Sequence, residues 1–404
     1  MRNRLLLRKT TDVFMDEGLL PALFVAGRLF LFLALIPDNW RGFGDMSQYF
    51  GTAGLHGWPY INYWMEYPPV FPFISTLSYR LAGGSPFLFD LILCLVIGLA
   101  GAACLVVFRR IAGSLWGEPA AARRTVVFFA LLAPLPYTWW YFELLPVFLM
   151  LLALYALFTR KWRLAGSAIG LGALVKWFPA ILLPAIWRSH SRKDALRITL
   201  LAGLLVIFVF GGLFLISPDM TRASLISQPS RSSWQTLWAL IDGNYTTGEF
   251  ILLKDRLDPG LAGIGRGNPA VIPPILTLAL FGGVGLWLLW RARLEDNDLG
   301  CLAMVGVTWI LFLLWSPGWS PQWILYLIPL ILLTLAEKRA LLLCLTLSLV
   351  TLLEWPTFLK HDIWQGLWLV VPLRTLIFGV LLWNWIRQTR PLTQPPVQYH
   401  PTQS

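Results

Sequence analysis

Charged side chains are scarce in this chain. Only 13% of its 404 residues are Asp, Glu, Lys or Arg, whereas 57% are hydrophobic. A soluble globular domain normally has about 25% charged residues, so this composition excludes a water-soluble fold. Apolar runs of about 15–24 residues recur from end to end, and about 20 such residues cross a bilayer as one helix. The composition therefore indicates an all-α polytopic membrane protein.

Cysteines and metal-binding patterns are also scarce. The four cysteines all lie inside apolar runs, at Cys94, Cys104, Cys301 and Cys344. Cys94 and Cys104 are about 15 Å apart along one helix, which is too far for a disulfide, and small core residues are the ordinary interpretation. The sequence has no metal-ligand spacing, no Asp-x-Asp motif and no glycine-rich phosphate loop. We therefore predict no metal or other cofactor and do not expect a cytosolic nucleotide sugar as the donor.

The net charge of +11 would suit a nucleic-acid-binding protein, but the positions of the basic residues argue against one. Lys and Arg cluster at alternate ends of the apolar runs, for example at Arg109 and Arg110, Arg160 and Lys161, and Arg192 and Lys193. This is the positive-inside pattern of a membrane protein. It predicts a plasma-membrane protein with both termini in the cytoplasm and no nucleic-acid partner. No cleavable signal peptide is evident, so the run from Leu19 is interpreted as a signal anchor.

Placing every basic cluster in the cytoplasm predicts about 11–13 transmembrane helices in one domain over residues 19–390. Residues 1–18 are expected to be a cytoplasmic N-terminus, and residues 391–404 a disordered cytoplasmic tail. Residues 37–83 form the first external loop, with an interfacial helix at 68–83, and residues 218–269 form a large external loop. The expected spans are 19–36, 88–108, 125–137, 142–158, 198–217, 270–290, 299–315, 322–336, 340–353 and 366–386.

One apolar stretch, residues 164–187, does not fit a single span because it must begin and end in the cytoplasm. Lys176-Trp177-Phe178-Pro179 interrupts it, and Pro179 disfavours helical geometry at Phe178. We predict two half-helices with their tip near Lys176. A broken helix at membrane depth is tolerated where it lines a cavity. A lysine there is either functional or has its ammonium group extended to the surface.

The first external loop contains the most informative pattern in the chain. It reads Gly44-Asp45-x3-Tyr49, Gly57-x-Pro59-Tyr60 and Glu66-Tyr67-Pro68-Pro69. If Asp45 begins a helix, Asp45 and Tyr49 lie on one face. From spacing alone, Asp45 is interpreted either as the cap of that helix or as a functional carboxylate.

This pattern resembles the first external loop of GT-C glycosyltransferases, and most closely that of glycosyltransferase family 87. The Lys176 segment is similar to a lysine-containing segment of that superfamily. The resemblance implies a GT-C-like helical bundle and an inverting enzyme that transfers mannose, or another hexose or pentose, from a polyprenyl phosphate. The acceptor would be a hydroxyl of a glycan or glycolipid at the external face of the bilayer.

The resemblance also implies roles for particular residues. Asp45 would be the base that takes the acceptor proton, and Lys176 the leading candidate to hold the departing phosphate. The remaining residues assigned to substrate binding are Tyr49, Glu66, Tyr67, Glu143, Arg231, Trp234 and His361. Alternatives stay open, because Glu66 could be a solvated charge, the aromatic residues near Glu143 a plain interfacial belt, and His361 a surface residue.

Two other functions compete with glycosyl transfer. A transporter or flippase of lipid-linked sugars would have polar residues through the middle of several spans, whereas here they concentrate on the predicted external side. A non-catalytic envelope-assembly protein is the third possibility. If the Asp45 side chain faced away from any cavity, the glycosyltransferase hypothesis would be contradicted.

Overall fold

The computed structural model describes residues 16–35, 41, 43–248, 251–292, 294 and 297–389. Within these ranges the backbone forms 17 α-helices, and strand pairing is limited to two isolated bridges. The helices are α1 (Leu19–Leu35), α2 (Met46–Ala53), α3 (Val70–Leu81), α4 (Pro86–Trp116), α5 (Glu118–Leu132), α6 (Tyr137–Trp140), α7 (Leu144–Phe158), α8 (Trp162–Val175), α9 (Leu183–Ser189), α10 (Arg192–Ile216), α11 (Pro218–Ser227), α12 (Leu237–Asp242), α13 (Pro274–Arg291), α14 (Asp298–Trp315), α15 (Ile324–Thr334), α16 (Glu337–Leu352) and α17 (Leu367–Gln388).

Six helical segments in the described part of the chain are long and apolar enough to cross a membrane, and four shorter apolar segments accompany them. Several apolar side chains on these helices point away from the protein, such as Phe208 (80% exposed), Leu215 (88%) and Trp290 (77%). Exposed apolar surface of this extent requires a nonaqueous surrounding. The predicted class, an all-α polytopic membrane protein, is confirmed.

The helices pack in two groups that meet at the centre. In the first group, α4 contacts α1, α5 and α7, and α8 lies between α7 and α10. In the second group, α14 packs against α13 and α17, and α15 packs against α16. Contacts of α9 with α14 and of α15 with α5 join the groups. The short helices α2, α3, α6, α11 and α12 lie in the connections between these long elements.

Proline, glycine and capping residues explain where several helices differ from the predicted spans. The span expected at 125–137 is the helix α5, which begins after Gly117 (φ 77°) with Pro119 in its first turn. It ends near Ala133, just before Pro134, as expected for a residue preceding proline. The span expected at 198–217 begins earlier, because Ser191 caps α10 by accepting a hydrogen bond from the Asp194 N–H.

The predicted break in the stretch 164–187 is present. Helix α8 ends at Val175, Lys176 is extended (φ −160°, ψ 137°), and a 3-10 turn, Phe178–Leu182, leads into α9. Gly172 permits this fold because a side chain there would meet the ring of Pro179 at 2.7 Å. The break therefore lies where the sequence predicts it, near Lys176.

Both predicted external loops contain ordered structure. The helix expected at 68–83 is α3, which begins directly after Pro68-Pro69. The loop 218–269 contains α11, α12 and two 3-10 turns, Leu253–Leu257 and Pro259–Leu261. Thr236 caps α12, and Gly243 in the left-handed region ends it. The predicted tail (391–404), most of the predicted N-terminus, and residues 37–40 of the first loop lie outside the described residues.

Candidate active site

A close backbone contact fixes the start of α2 against α6. A Cβ added at Gly44 would lie 2.2 Å from the Cβ of Trp140, so only glycine fits this approach. The next residue, Asp45, donates its backbone N–H to the carbonyl of Trp140 at 3.3 Å. The ring of Phe43 stacks on Trp140 with centroids 5.4 Å apart. These contacts position the Asp45 carboxylate at the centre of the protein.

The side chain of Asp45 does not act as a helix cap. Asp45 occupies the N-cap position of α2, but its carboxylate makes no capping hydrogen bond. Instead, its Oδ2 accepts hydrogen bonds from the hydroxyl of Tyr49 at 3.2 Å and that of Tyr67 at 3.1 Å. Burial and the neighbouring Asp45 charge raise the pKa of both tyrosines well above the usual range, so both remain protonated donors.

Burial also makes Asp45 a stronger base than an ordinary aspartate. Its side chain is 7% exposed, and the loss of hydration raises the pKa of Asp45 to about 7, with the charge of Glu143 acting in the same direction. The Tyr67 hydrogen bond, the charge of Lys176 and the Tyr49 hydrogen bond oppose the increase. A carboxylate with a pKa near 7 suits general-base catalysis at neutral pH.

Glu66 lies in the opposite electrostatic environment. It is 2% exposed, and Arg256 donates to both of its carboxylate oxygens, one of them at 2.9 Å. Gln48 donates to it at 3.2 Å, and the guanidinium of Arg231 lies 3.6 Å away. Burial alone would raise the pKa of Glu66, but the charge and hydrogen bonds of Arg256 outweigh it and lower the pKa to about 2. Glu66 is therefore a buried, permanently ionised anchor and not a solvated charge.

Glu143 and Lys176 form a buried ion pair behind Tyr67. The ammonium of Lys176 donates to Oε1 of Glu143, and the two residues are 9% and 1% exposed, respectively. Aromatic rings surround this ammonium, including Tyr67 and Phe142 with centroids 5.7 and 5.3 Å away. Lys176 therefore does not extend to the surface. Neither Lys176 nor Glu143 lines the cavity whose wall contains Asp45 and Glu66, which we call the central cavity.

The central cavity has a volume of about 220 Å³, and Asp45 and Glu66 lie on its wall. Its lining is mixed polar and aromatic and comes from five separate parts of the chain: Phe43, Gly44, Asp45, Gln48, Glu66, Tyr67, Tyr141, Arg231, Trp234, Gln235, Thr247, Gly248, Ser320, Pro321, Gln322, Trp355 and Lys360. Carboxylates, amides, two cations and flat aromatic rings are the groups that bind sugars and phosphates. The cavity can therefore hold a polar substrate beside a base.

Arg231 and Trp234, two of the predicted binding residues, line this cavity. The indole of Trp234 lies against Gly318, where an added Cβ would approach it to 2.2 Å, and its N–H donates to Ser320 at 3.3 Å. Tyr49 reaches the site through its hydrogen bond to Asp45 but does not line the cavity. His361 is exposed and bonded to the carbonyl of Thr357 at 2.7 Å, away from the cavity lining.

Sequence reasoning gave no site role to several residues that the fold brings here. Gln48 and Arg256 both bind Glu66, and Tyr141, Gln235 and Trp355 line the cavity. Gln48 was detectable in principle, since it lies three residues after Asp45 on a predicted helix. Arg256 lies 190 residues from Glu66 in sequence, and no local pattern connects the two.

Within the described ranges, no group of three or more His, Cys, Asp or Glu side chains is placed to hold a metal ion. All four cysteines are buried free thiols, as predicted for small core residues.

Comparison with known proteins identifies the family. The model of glycosyltransferase family 87 matches residues 64–317, which is more than half of the chain. The match includes Glu66, Glu143, Lys176 and Arg231 and begins after Asp45. No curated protein and no solved structure matches. The chain therefore belongs to glycosyltransferase family 87 and is a multi-pass membrane glycosyltransferase.

Proposed function

We propose that this glycosyltransferase moves a sugar, mannose or another hexose or pentose, from a polyprenyl phosphate to an acceptor hydroxyl with inversion at the anomeric carbon. The observation that carries the proposal is the Asp45 carboxylate. It is buried at the wall of the central cavity, held by two tyrosine hydroxyls, and has a pKa of about 7. A group with this placement and basicity is suited to remove a proton from an attacking hydroxyl.

The bond changes follow from these residues. As the acceptor oxygen attacks the anomeric carbon, its proton passes to Asp45. The bond from that carbon to the phosphate oxygen breaks, and its electron pair leaves with the phosphate. The negative charge that develops there needs a nearby cation. Arg231 and Lys360 line the cavity and are assigned this task in preference to Lys176, which is paired with Glu143 outside the lining.

An apolar groove supports a lipid-linked donor. Residues of α3 and α10, among them Phe73, Leu77 and Phe208, line a groove of about 940 Å³. The groove includes Pro69, two residues after the cavity residue Tyr67. A polyprenyl chain lying along α3 would therefore approach the cavity from the bilayer.

Replacing one carboxylate oxygen of Asp45 tests the mechanism. We expect Asp45→Asn to reduce transfer from a radiolabelled polyprenyl-phosphate sugar by about 100-fold or more, the usual contribution of a general base. Asp219→Asn is the matched control, because Asp219 is an exposed aspartate that lines neither the central cavity nor the apolar groove. Thermal unfolding in detergent checks that both variants fold. Undiminished transfer by Asp45→Asn would remove Asp45 from the mechanism and leave the base to another group.

The proposal places the catalytic cavity on the external side of the plasma membrane and both termini in the cytoplasm. Cysteine labelling tests this orientation, since the four native cysteines are buried. Exposed Lys254 lies in the loop 218–269, and exposed Lys193 lies in a predicted cytoplasmic cluster. We expect an impermeant maleimide to label Lys254→Cys in intact cells and Lys193→Cys only after permeabilisation. The reverse pattern would invert the proposed orientation.

A further inference from the structure

A second, smaller polar cavity adjoins the central one. It has a volume of about 50 Å³ within a space of about 580 Å³ that is partly open to solvent, so a sugar ring bound there would stay partly exposed. Four of its lining residues, Arg231, Trp234, Thr247 and Gly248, also line the central cavity. The two spaces therefore share a wall. Most other residues around the second cavity come from the loop 218–269, and four of them are serines: Ser227, Ser230, Ser232 and Ser233.

The serines offer this cavity acceptors rather than donors. Each serine hydroxyl has one hydrogen to donate, and each donates it within the protein. Ser227 donates to the Ser224 carbonyl at 2.9 Å, Ser230 to the Ile226 carbonyl at 2.9 Å, and Ser232 to the Arg266 carbonyl. Ser233 donates to Asp242 at 2.5 Å and also accepts from Asn244. The oxygen lone pairs of Ser227, Ser230 and Ser232 remain to bind a ligand that donates hydrogen bonds.

The cations at this cavity are already engaged. Arg266 is paired with Asp255, and Arg231, which lies 3.6 Å from Glu66, is assigned to the donor phosphate in the central cavity. A phosphate group has no hydrogen-bond donors at neutral pH beyond its partial second protonation, so it would meet hydroxyl oxygens that repel it. A neutral polyol has many O–H donors and does not require a free cation.

Two tryptophans complete the lining. Trp64 is 1% exposed, and its indole N–H donates to the carbonyls of Asp255 at 3.1 Å and Asp258 at 3.0 Å. Trp234 is fixed by Gly318 and Ser320, as described above. Rigid aromatic faces beside hydroxyl acceptors suit the apolar C–H face and the polar rim of a sugar ring.

We propose that this second cavity binds the acceptor, a neutral saccharide, through sugar hydroxyls other than the one that attacks. The inference rests on the proposed function, because the shared wall brings the attacking hydroxyl into the central cavity beside Asp45. The donor then occupies the central cavity and the groove along α3. Acceptor specificity is set by the loop 218–269 and not by the first loop.

Two kinds of variant test the site. Ser230→Ala with Ser232→Ala removes two acceptor oxygens, and Thr246→Trp places a large side chain from an exposed lining residue into the cavity. Ser114→Ala is the matched control, since Ser114 also donates to a carbonyl of its own helix (Ile111, 2.8 Å) but lines neither cavity. Thermal unfolding measures whether each variant folds. If Thr246→Trp does not fold, the serine double variant still tests the site.

The first readout is binding without chemistry. Saturation-transfer NMR measures contacts between the purified protein and a panel of methyl hexosides, methyl pentosides and their disaccharides. We expect signals with the intact protein, Ser114→Ala and Asp45→Asn, and their loss in Thr246→Trp. Unchanged signals in Thr246→Trp and in the serine pair, or no binding by the intact protein, would overturn the proposal. Because this readout needs no turnover, it also holds if sugar transfer itself is not observed.

The second readout is kinetic, with a panel member that serves as acceptor. Each lost hydrogen bond should raise the acceptor KM about threefold to tenfold, leaving kcat and the donor KM near their original values. An equal increase of the donor KM would place the donor in this cavity and overturn the assignment. A failure of transfer in every variant, with binding still lost only in the cavity variants, would refute the proposed function and leave the saccharide site standing.

Discussion

Two carboxylates of the first loop, those of Asp45 and Glu66, lie on the wall of one cavity but in opposite environments. Asp45, at the start of α2, is buried among tyrosines, and its pKa is raised to about 7. Glu66, near the other end of the loop, is equally buried, but Arg256 lowers its pKa to about 2. Burial is the largest contribution in both cases and acts in the same direction, so the partner decides the outcome.

Under the proposed function, this difference separates a reactive acid from a structural one. A carboxylate with hydroxyl partners can accept a proton near neutral pH, whereas a carboxylate fully paired with arginine cannot. Glu66 instead anchors the first loop to the loop 218–269, because Arg256, Arg231 and Gln228 all reach it or its backbone carbonyl. Three sets of variants test whether the partners of the two acids set their behaviour.

The largest effect should come from removing the arginine partner of Glu66. In Arg256→Gln, Glu66 becomes a buried charge without its bidentate partner, which typically costs about 3–5 kcal/mol of folding free energy. We expect a clear loss of thermal stability in detergent at pH 7. The double variant Glu66→Gln/Arg256→Gln leaves no buried charge at either position and should recover part of the lost thermal stability.

The folding stability of Arg256→Gln should depend on pH in a direction that the pKa of Glu66 sets. In the native protein the lowered pKa of Glu66 contributes stability that is present above about 4.5 and lost as the pH falls toward about 2. Without Arg256, burial raises the pKa of Glu66, so the variant should lose part of its deficit when the pH decreases from 7 to 5. A deficit that is the same at both pH values would mean that Glu66 is not held by this pair.

A smaller effect should follow from changing the charge behind Tyr67. The Glu143 charge raises the pKa of Asp45, so Glu143→Gln should lower it. Since Asp45 must be unprotonated to act as base, kcat/KM of the native enzyme should fall as the pH decreases through about 7. In Glu143→Gln this decrease should move to lower pH, with at most about tenfold more activity at pH 6, because about a tenth of Asp45 is unprotonated there in the native enzyme.

The double variant Glu143→Gln/Lys176→Gln is the control, because the charge of Lys176 lowers the pKa of Asp45. Removing both charges should return the pH profile toward that of the native enzyme. An identical profile in the single and double variants would show that the buried pair has no electrostatic influence on the base.

The fold was largely predictable because the membrane constrains it strongly. Backbone groups in lipid must be satisfied within helices, so apolar runs and prolines located α1, α3, α7 and the break at Lys176. The predicted helix boundaries were wrong where capping or tertiary contacts determine the helix ends, as for α5 and α10. The loop 218–269 showed no apolar periodicity, and its helices α11 and α12 were missed for that reason.

The site was predictable only in part. Asp45, Glu66, Tyr67, Arg231 and Trp234, all candidates from the sequence, lie at the cavity. The partner of each charge could not be predicted, because Arg256 reaches Glu66, and Lys176 reaches Glu143, across 190 and 33 residues of sequence, respectively. Spacing alone left Asp45 open as a helix cap, and the family resemblance favoured it as a base without indicating the environments that distinguish the two acids.

The smallest effect should separate the two tyrosines that hold Asp45. Each hydroxyl lowers the pKa of Asp45, and the hydrogen bond of Tyr67 contributes more than that of Tyr49. Tyr67→Phe should therefore raise the pH at which kcat/KM declines, and Tyr49→Phe should raise it less, with folding intact in both because the rings remain. The pH profiles measure both displacements against the native enzyme. A larger displacement in Tyr49→Phe would reverse the order of the two donors, and a displacement toward lower pH in either variant would contradict the hydroxyls' role as donors to Asp45.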